Sequence, residues 1–299
     1  MTDGALLLDK PVGLSSNAAL QHAKRIFAAK KAGHAGTLDP LASGLLLVLF
    51  GEATKFATPL LDADKEYLAT LKLGERTSTG DAEGEILEKK TVRVTDAQVM
   101  AALSRFQGKI EQLPPMYSAL KRDGVPLYRL ARRGETVERS RRKVEIFLLE
   151  KTRYEEPLMM IRVRCSKGTY IRTLAEDIGA ALGTVAHLAT LRRTRSGRFR
   201  VEDAATLERL QEMSAGQRAA RLLPLAALLE GLPRAELDAS GEARLRNGQA
   251  LKISGLNEGL CAVYGPGGGV IGVGRAESGG LLRPLRLTQC AEKQVKSRA

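Results

Sequence analysis

The sequence predicts an α+β fold in two parts, a large domain of interspersed strands and helices and a small β-rich domain near the C-terminal end. Three observations predict it. Segments of period two, such as residues 65–73 and 158–166, stand among segments of helical period, such as 17–27 and 171–182. One continuous apolar run, 45–50, has the length of a strand buried on both faces. Around Pro224 to Pro233 the character changes, and short glycine-bounded strands follow. With 299 residues and 43% hydrophobic content, the chain can bury one large core and a small second one.

Residues 5–8 form a short strand, ended by Lys10-Pro11-Val12-Gly13. Ser15 or Ser16 caps a helix with Ala19, Leu20, Ala23, Ile26 and Phe27 on one face. A glycine-punctuated loop, 33–44, then carries one carboxylate, Asp39, into the apolar run. Gly33 and Gly36 let the backbone turn around His34, and Pro40 biases Asp39 away from helical backbone. An acid at the mouth of a buried strand can be held stiffly, as a reacting group must be. The alternative is an Asp39 that caps a turn or short helix with Pro40 at its first position.

A helical start at 53–55 precedes the strand 65–73, where Tyr67, Ala69, Leu71 and Leu73 face one way and Leu68, Thr70 and Lys72 the other. Taken alone, Tyr67 is most simply a core aromatic. Residues 77–84 form a polar loop, and Thr95 with Gln98 makes a capping box for a helix bearing Val99, Leu103 and Phe106, stopped by Gly108. After Pro114-Pro115 a basic segment, with a turn at Asp123-Gly124, reads as an arm over the surface. In the strand 158–166, Met159, Ile161, Val163 and Cys165 stand opposite Arg162 and Arg164. Lys167-Gly168 turns it into a helix whose apolar face is Ile171, Leu174, Ala175, Ile178 and Leu182. Arg172 sits in that helix's first turn, where the macrodipole disfavours a cation, so it wants an anion: a phosphate, a carboxylate of a site, or a surface salt-bridge partner. A leucine-rich helix at 222–229 closes the large domain. A short helix near 242–245 and strands at 250–253, 260–264, 270–274 and 281–287, with a hairpin at 265–269, make the small domain, for which a barrel is the economical closure.

The net charge is +13 and the isoelectric point about 9.8, which favours a polyanionic partner. The excess is concentrated. Residues 121–143 carry nine Lys/Arg against three acids, and Arg192, Arg193, Arg195, Arg198 and Arg200 stand with no acid among them. Arginine suits bidentate phosphate contacts, and no amphipathic aromatic-bearing helix accompanies it, so nucleic acid is favoured over a membrane. Apolar runs are too short to span a bilayer. Cys165, Cys261 and Cys290 are scattered and odd in number, which predicts reduced thiols in a cytoplasmic protein. His22, His34 and His187 offer no metal-ligand spacing, and no metal is expected.

Gly33-His34-Ala35-Gly36-Thr37-Leu38-Asp39-Pro40-Leu41-Ala42-Ser43-Gly44 resembles the catalytic motif of the bacterial tRNA pseudouridine-55 synthase (TruB) family of pseudouridine synthases. Lys10 to Asn17 is similar to that family's N-terminal motif, Lys65-Glu66-Tyr67 to its tyrosine motif, and Thr79 to Gly84 to its acidic loop. Cys165 to Arg172 is similar to its arginine motif, and residues 188–195 hold its Leu-Arg-Arg-Thr. Ala35 departs from the family's usual threonine, small for small.

The resemblance implies a mixed-sheet pseudouridine synthase catalytic domain over 1–230, with a thumb-like basic insertion at about 119–145. It also implies a PUA-like RNA-binding domain over 233–290 and a tail at 291–299. Asp39 is then the nucleophile, paired with Arg172, and Tyr67 stacks on the flipped uracil and assists proton removal. Tyr170 and Leu191 line the pocket, and His34 displaces the target nucleotide. Asp81, Lys10, Arg132, Arg133, Arg141, Arg142, Arg192 and Arg193 contact substrate. The implied activity converts uridine 55 in the T-loop of tRNA to pseudouridine, in the cytoplasm, as a monomer without cofactor, guide RNA or membrane. Two other readings share these motifs: the catalytic subunit of an RNA-guided pseudouridylation complex, and a non-catalytic tRNA-binding protein. A glycosidase-type hydrolase would need a second acid in a comparable motif, and none is evident.

Overall fold

A computed structural model describes residues 2–118, 120–122 and 124–289; Cys290, the tail and the Asp123 half of the expected turn lie outside the described residues. The large domain begins with β1 (Gly4–Lys10), α1 (Ser16–Ile26), β2 (Ala32–Ala35), β3 (Ala42–Phe50), α2 (Ala57–Asp62) and β4 (Lys65–Leu73). It continues with β5 (Glu75–Thr77), β6 (Ile86–Lys89), α3 (Asp96–Ser104), β7 (Gly108–Gln112), β8 (Lys121–Arg122), β9 (Val125–Pro126) and α4 (Leu127–Ala131). Then come β10 (Arg142–Glu155), β11 (Leu158–Cys165), α5 (Ile171–Ala181), β12 (Ala186–Ser196), β13 (Phe199–Arg200), α6 (Leu207–Glu212), α7 (Ala215–Ala219), β14 (Leu222–Leu223) and α8 (Leu225–Leu229).

The main sheet runs β14-β1-β3-β12-β4-β11-β10-β7, with β2 added on β3 and β13 on β12. It is mixed because β3 lies parallel to β12 and antiparallel to β1 and β2. The apolar run is buried on both faces, as its composition predicts. Leu45, Leu47 and Leu49 enter one core, while Leu46, Val48 and Phe50 enter a second, under α1 and α6. A third core lies under α3 and α5, fed by Ala69, Leu71 and Leu73 of β4 and by Met159, Ile161 and Val163 of β11. Tyr67 and Leu191 touch both the second and the third core, so the seam between them lies along the β4–β12 pair.

Several local readings change: the loop read at 33–44 begins in β2 and ends in β3. Leu222 and Leu223 pair with β1 instead of starting a helix, because Pro224 forces the residue before it into extended backbone; helix α8 starts at Leu225. Ser15 alone caps α1, accepting from the Ala18 N–H at 3.1 Å, while Ser16 turns its hydroxyl inward. Among the described residues no helix is long and apolar enough to cross a membrane.

The C-terminal part comprises β15 (Arg234–Glu236), α9 (Ala239–Arg246), β16 (Leu251–Lys252), β17 (Gly259–Tyr264), β18 (Val270–Glu277) and β19 (Leu281–Leu287), paired in the order β15-β17-β18-β19-β16. All five strands and α9 send side chains into one core, including Ala235, Leu245, Leu251, Val263, Ile271 and Leu282. The alternate positions Ala262, Tyr264, Val270 and Val273 point the other way, into the core that holds Phe56, Leu225 and Leu228. The small domain is therefore a wall of the large one. Truncation after Pro233 is expected to lower the melting temperature of what remains, because it strips the cover from those side chains. Thermal unfolding checks this; an unchanged Tm would mean that the sheet contributes nothing to the shared core.

Candidate active site

Asp39 stands between β2 and β3, where its carbonyl accepts from the Ala42 N–H at 3.0 Å and the Pro40 carbonyl accepts from the Gly13 N–H at 2.8 Å. The side chain is 43% exposed, open on one side to solvent. On the other it meets Arg172, whose Nη2 lies 3.0 Å from Asp39 Oδ2 and whose Nη1 lies 3.5 Å from Asp81 Oδ2. The same guanidinium donates to the Thr79 carbonyl at 3.1 Å and the Tyr117 carbonyl at 2.6 Å. Arg172 is only 7% exposed, so it belongs to this array and not to bulk solvent. Asp81 is itself fixed, Oδ1 accepting from the Thr79 hydroxyl at 2.5 Å and from the Glu83 N–H at 3.1 Å. The anion that the helix start demands is thus a pair of carboxylates, one half-buried and one fully buried.

Burial raises the Asp39 pKa; Arg172 pulls it down, Asp81 pushes it up, and Lys10 lowers it again. Desolvation prevails, so the site disfavours the charged form relative to water, a common state for a reactive group. Tyr67 pairs with Arg193 across β4–β12 and with Val163 across β4–β11. Burial raises its phenol pKa, with Arg193 drawing it back, so the ring is neutral at physiological pH. Leu191 pairs with Ala69 and with Ala42, three residues after Asp39. Tyr170 caps α5, and burial likewise raises its phenol. His34 lies on β2 opposite Val48; burial, then Arg193, lowers its pKa, and its Nδ1 is buried without a hydrogen-bond partner among the described residues. A neutral ring of this kind suits stacking.

Several expected substrate contacts turn out to be scaffold. Arg193 is 1% exposed, with Nε donating to the Leu45 carbonyl at 2.7 Å and Nη2 to the Gly36 carbonyl at 3.0 Å, so it staples the motif loop and cannot reach a phosphate. Gly36 has φ +87°, which a side chain would strain, and a Cβ there would already touch that guanidinium at 3.4 Å. Lys10 is fully buried, its ammonium on the Pro11 and Leu14 carbonyls at 2.7 and 2.6 Å; burial lowers its pKa to about 8. Asp81 holds Arg172 instead of facing solvent. Arg192 forks onto Asp9 at 3.0 and 2.7 Å and keeps a partly open side chain. Arg132, Arg133, Arg141 and Arg142 are exposed, and Arg132 lies 5.7 Å from the Tyr128 ring centroid.

Gln112 was not singled out in the sequence, yet it is buried and bonded to the Tyr170 backbone. The signal was present: Ile110 and Gln112 alternate on one face, so a strand there turns the amide inward.

Residues 24–171 match the family described as TruB family pseudouridylate synthase (N terminal domain), and 172–232 match the tRNA pseudouridylate synthase B C-terminal domain. Residues 233–288 match Pseudouridine synthase II TruB, C-terminal. The tRNA pseudouridine synthase B of Burkholderia mallei (strain NCTC 10247) is 56% identical over 292 residues, covering 95% of this chain and 96% of the relative. That of Ralstonia nicotianae (strain ATCC BAA-1114 / GMI1000) is 54% identical over 294 residues, covering 95% and 93%. Among solved structures, the archaeal box H/ACA sRNP Nop10-Cbf5 complex aligns with TM-score 0.73 at 27% identity, covering 96% of this chain and 86% of that one. A Cbf5-Nop10-Gar1 complex aligns with TM-score 0.74 at 28% identity, covering 98% and 84%. The fold and these matches define a pseudouridine synthase. The chain belongs to the TruB family of these isomerases.

Proposed function

We infer that the chain isomerises uridine 55 in the T-loop of tRNA to pseudouridine, with Asp39 as nucleophile. The observation that carries this is the half-buried Asp39 carboxylate held by a buried arginine, within electrostatic reach of Tyr67 on the seam between two cores. In the reaction the N1–C1′ bond breaks, the base turns, C5–C1′ forms, and the C5 proton is lost while N1 regains one. Atoms and electrons balance without oxidant, reductant or water. Such a sequence needs a carboxylate nucleophile, a cavity that retains the free base, and a proton acceptor. Tyr67 stacks on the extruded uracil and assists the proton transfer, Tyr170 and Leu191 line the pocket, and His34 helps displace the target nucleotide from its loop.

The relatives at 54–56% identity are named for tRNA, whereas the guide-RNA assemblies stand at 27–28%. This favours a stand-alone enzyme over a guided subunit; the same reading takes it to be a monomer acting in the cytoplasm. Residues 1–230, with the arm at 119–145, carry the chemistry, and 233–290 extend the RNA footprint. Incubating the pure protein with unmodified tRNA transcript, without guide RNA, and mapping pseudouridine at single-nucleotide resolution tests target and independence together. Product at position 55 is expected; product only on addition of a guide would favour the rival.

The four exposed arm arginines are expected to contact phosphates. Neutralising Arg132, Arg133, Arg141 and Arg142 together should weaken tRNA binding and flatten log affinity against log salt by roughly 0.7 to 0.9 for each phosphate no longer neutralised. An unchanged slope returns the arm to an ordinary solvated face.

A further inference from the structure

Each member of the Asp39–Arg172 pair follows closely on a residue whose two backbone polar groups are both held by one buried side chain from a distant segment. The Ser16 hydroxyl donates to the Leu38 carbonyl at 2.8 Å and accepts from the Leu38 N–H at 2.7 Å. Ser16 is 2% exposed and Leu38 is 3% exposed. Leu38 lies in no strand or helix, so neither of its backbone groups has a ladder to join. Asp39 is the next residue.

Gln112 repeats the device on the other side. Its Nε2 donates to the Tyr170 carbonyl at 3.2 Å and its Oε1 accepts from the Tyr170 N–H at 3.0 Å. Only one orientation of the amide satisfies both bonds. Gln112 is 1% exposed. Tyr170 is the cap of α5 and makes no side-chain cap of its own, so Gln112 fixes the point where the helix starts. Arg172 follows two residues later. The Thr173 hydroxyl reaches the Leu113 carbonyl at 3.4 Å, a second tie from the same segment.

We propose that Ser16 and Gln112 are positioning residues that set the Asp39–Arg172 geometry, each by holding the backbone just ahead of one partner. The proposal rests on the assignment of Asp39 and Arg172 above. A hydroxyl or amide bonded to both groups of one peptide residue removes its freedom to rotate, which a single bond does not. Both clamps come from regular elements, the first turn of α1 and the end of β7, so the pair inherits their rigidity. In the structure Ser15 caps the helix, which leaves Ser16 for the loop, and Gln112 ends β7 ahead of Pro114-Pro115.

The test uses the full chain with Ser16→Ala and Gln112→Met, and Leu245→Ala as a control destabilised in the C-terminal core. Single-turnover rate at saturating unmodified tRNA transcript, transcript Kd and the pH profile of the rate are measured for each. Misplacement of the pair is expected to slow the chemical step by roughly ten- to a hundredfold, with Kd within about threefold of wild type. The acid limb should move to higher pH. Asp39 is faced by Arg172, Asp81, Lys10, Glu83, Tyr67 and Tyr170; loosening Arg172 removes the main downward pull while burial and Asp81 remain. Ser16→Thr, which keeps the hydroxyl, should recover most of the rate. Should Gln112→Met not fold, Gln112→Asn, whose amide stops one methylene short, is read in its place.

Rates that fall only as far as in Leu245→Ala, or that fall with an unmoved acid limb, overturn the proposal and leave the side chains as plain cross-links. That outcome is separable from failure of the nucleophile assignment, which would show as turnover by Asp39→Asn.

Discussion

Asp39→Asn is expected to abolish isomerisation while leaving tRNA affinity within about tenfold, or roughly 1.4 kcal/mol. Asn keeps an acceptor 3.0 Å from Arg172 Nη2 and preserves the backbone bonds of the loop, but it removes the charge and the nucleophile. The direction of the pKa shift carries a sign for the stability change. Burial raises the folded-state pKa of Asp39, so any stability the group contributes is present at low pH and lost as pH rises through the folded value. The fold therefore disfavours the charged form of this carboxylate relative to the unfolded chain. Arg172 retains Asp81 and two carbonyls when Asp39 becomes neutral. The variant should melt no lower than wild type. Stability kept or gained as activity disappears is the mark of a group retained for chemistry. Appreciable turnover by folded Asp39→Asn would sink the nucleophile assignment, and a sharply lowered Tm would return Asp39 to the role of turn cap.

Much of the fold was legible because period-two and apolar-run signals survive intact in β3, β4 and β11. β3 is apolar throughout because both of its faces enter cores. β4 and β11 alternate because one face is covered and the other is wet. β10 and β12 were harder to see, and the reason is the same in each. Register shifts between Ile146 and Leu148 and between Leu188 and Thr190 change which face is inside partway along the strand, so the alternation resets. In β12 the difficulty is compounded by arginines that look like surface. Arg193 is buried, and its charge is absorbed by carbonyls of the motif loop, which composition alone cannot reveal.

The same limit explains what was legible at the site. A lone cation in a helix's first turn signals that an anion is required, and Asp39 and Asp81 answer it. Which residues merely support the array depends on burial. Lys10, Asp81 and Arg193 are motif residues whose charges are satisfied inside the protein. Gln112 lies outside those motifs and does a comparable job, because an amide on the inner face of a strand must find backbone partners.

The second large effect is expected from Arg172→Met, which keeps an unbranched stem as far as the arginine Nε and removes the guanidinium with its charge and donors. Asp81 is then a buried carboxylate without its cation, and the Thr79 and Tyr117 carbonyls are left without that donor. Breaking a buried pair in this way costs about 3 kcal/mol or more, because the remaining charge is left uncompensated. Asp39, more exposed, is affected mainly in its titration. The principal influence lowering its pKa disappears while burial and Asp81 still raise it, so the acid limb of the single-turnover rate should move to higher pH. The rate at neutral pH should fall by roughly a hundredfold to a thousandfold, comparable to removing one donor from an electrostatic site. Arg172→Lys separates charge from geometry. An ammonium cannot span both carboxylates and two carbonyls at once, so most of the stability should return while the rate stays low. Chemical denaturation and the pH profile of the rate check both variants. Near-wild-type rates for Arg172→Lys would show that Arg172 supplies only charge, and the forked contacts to Asp39 and Asp81 would then have no part in placing the nucleophile.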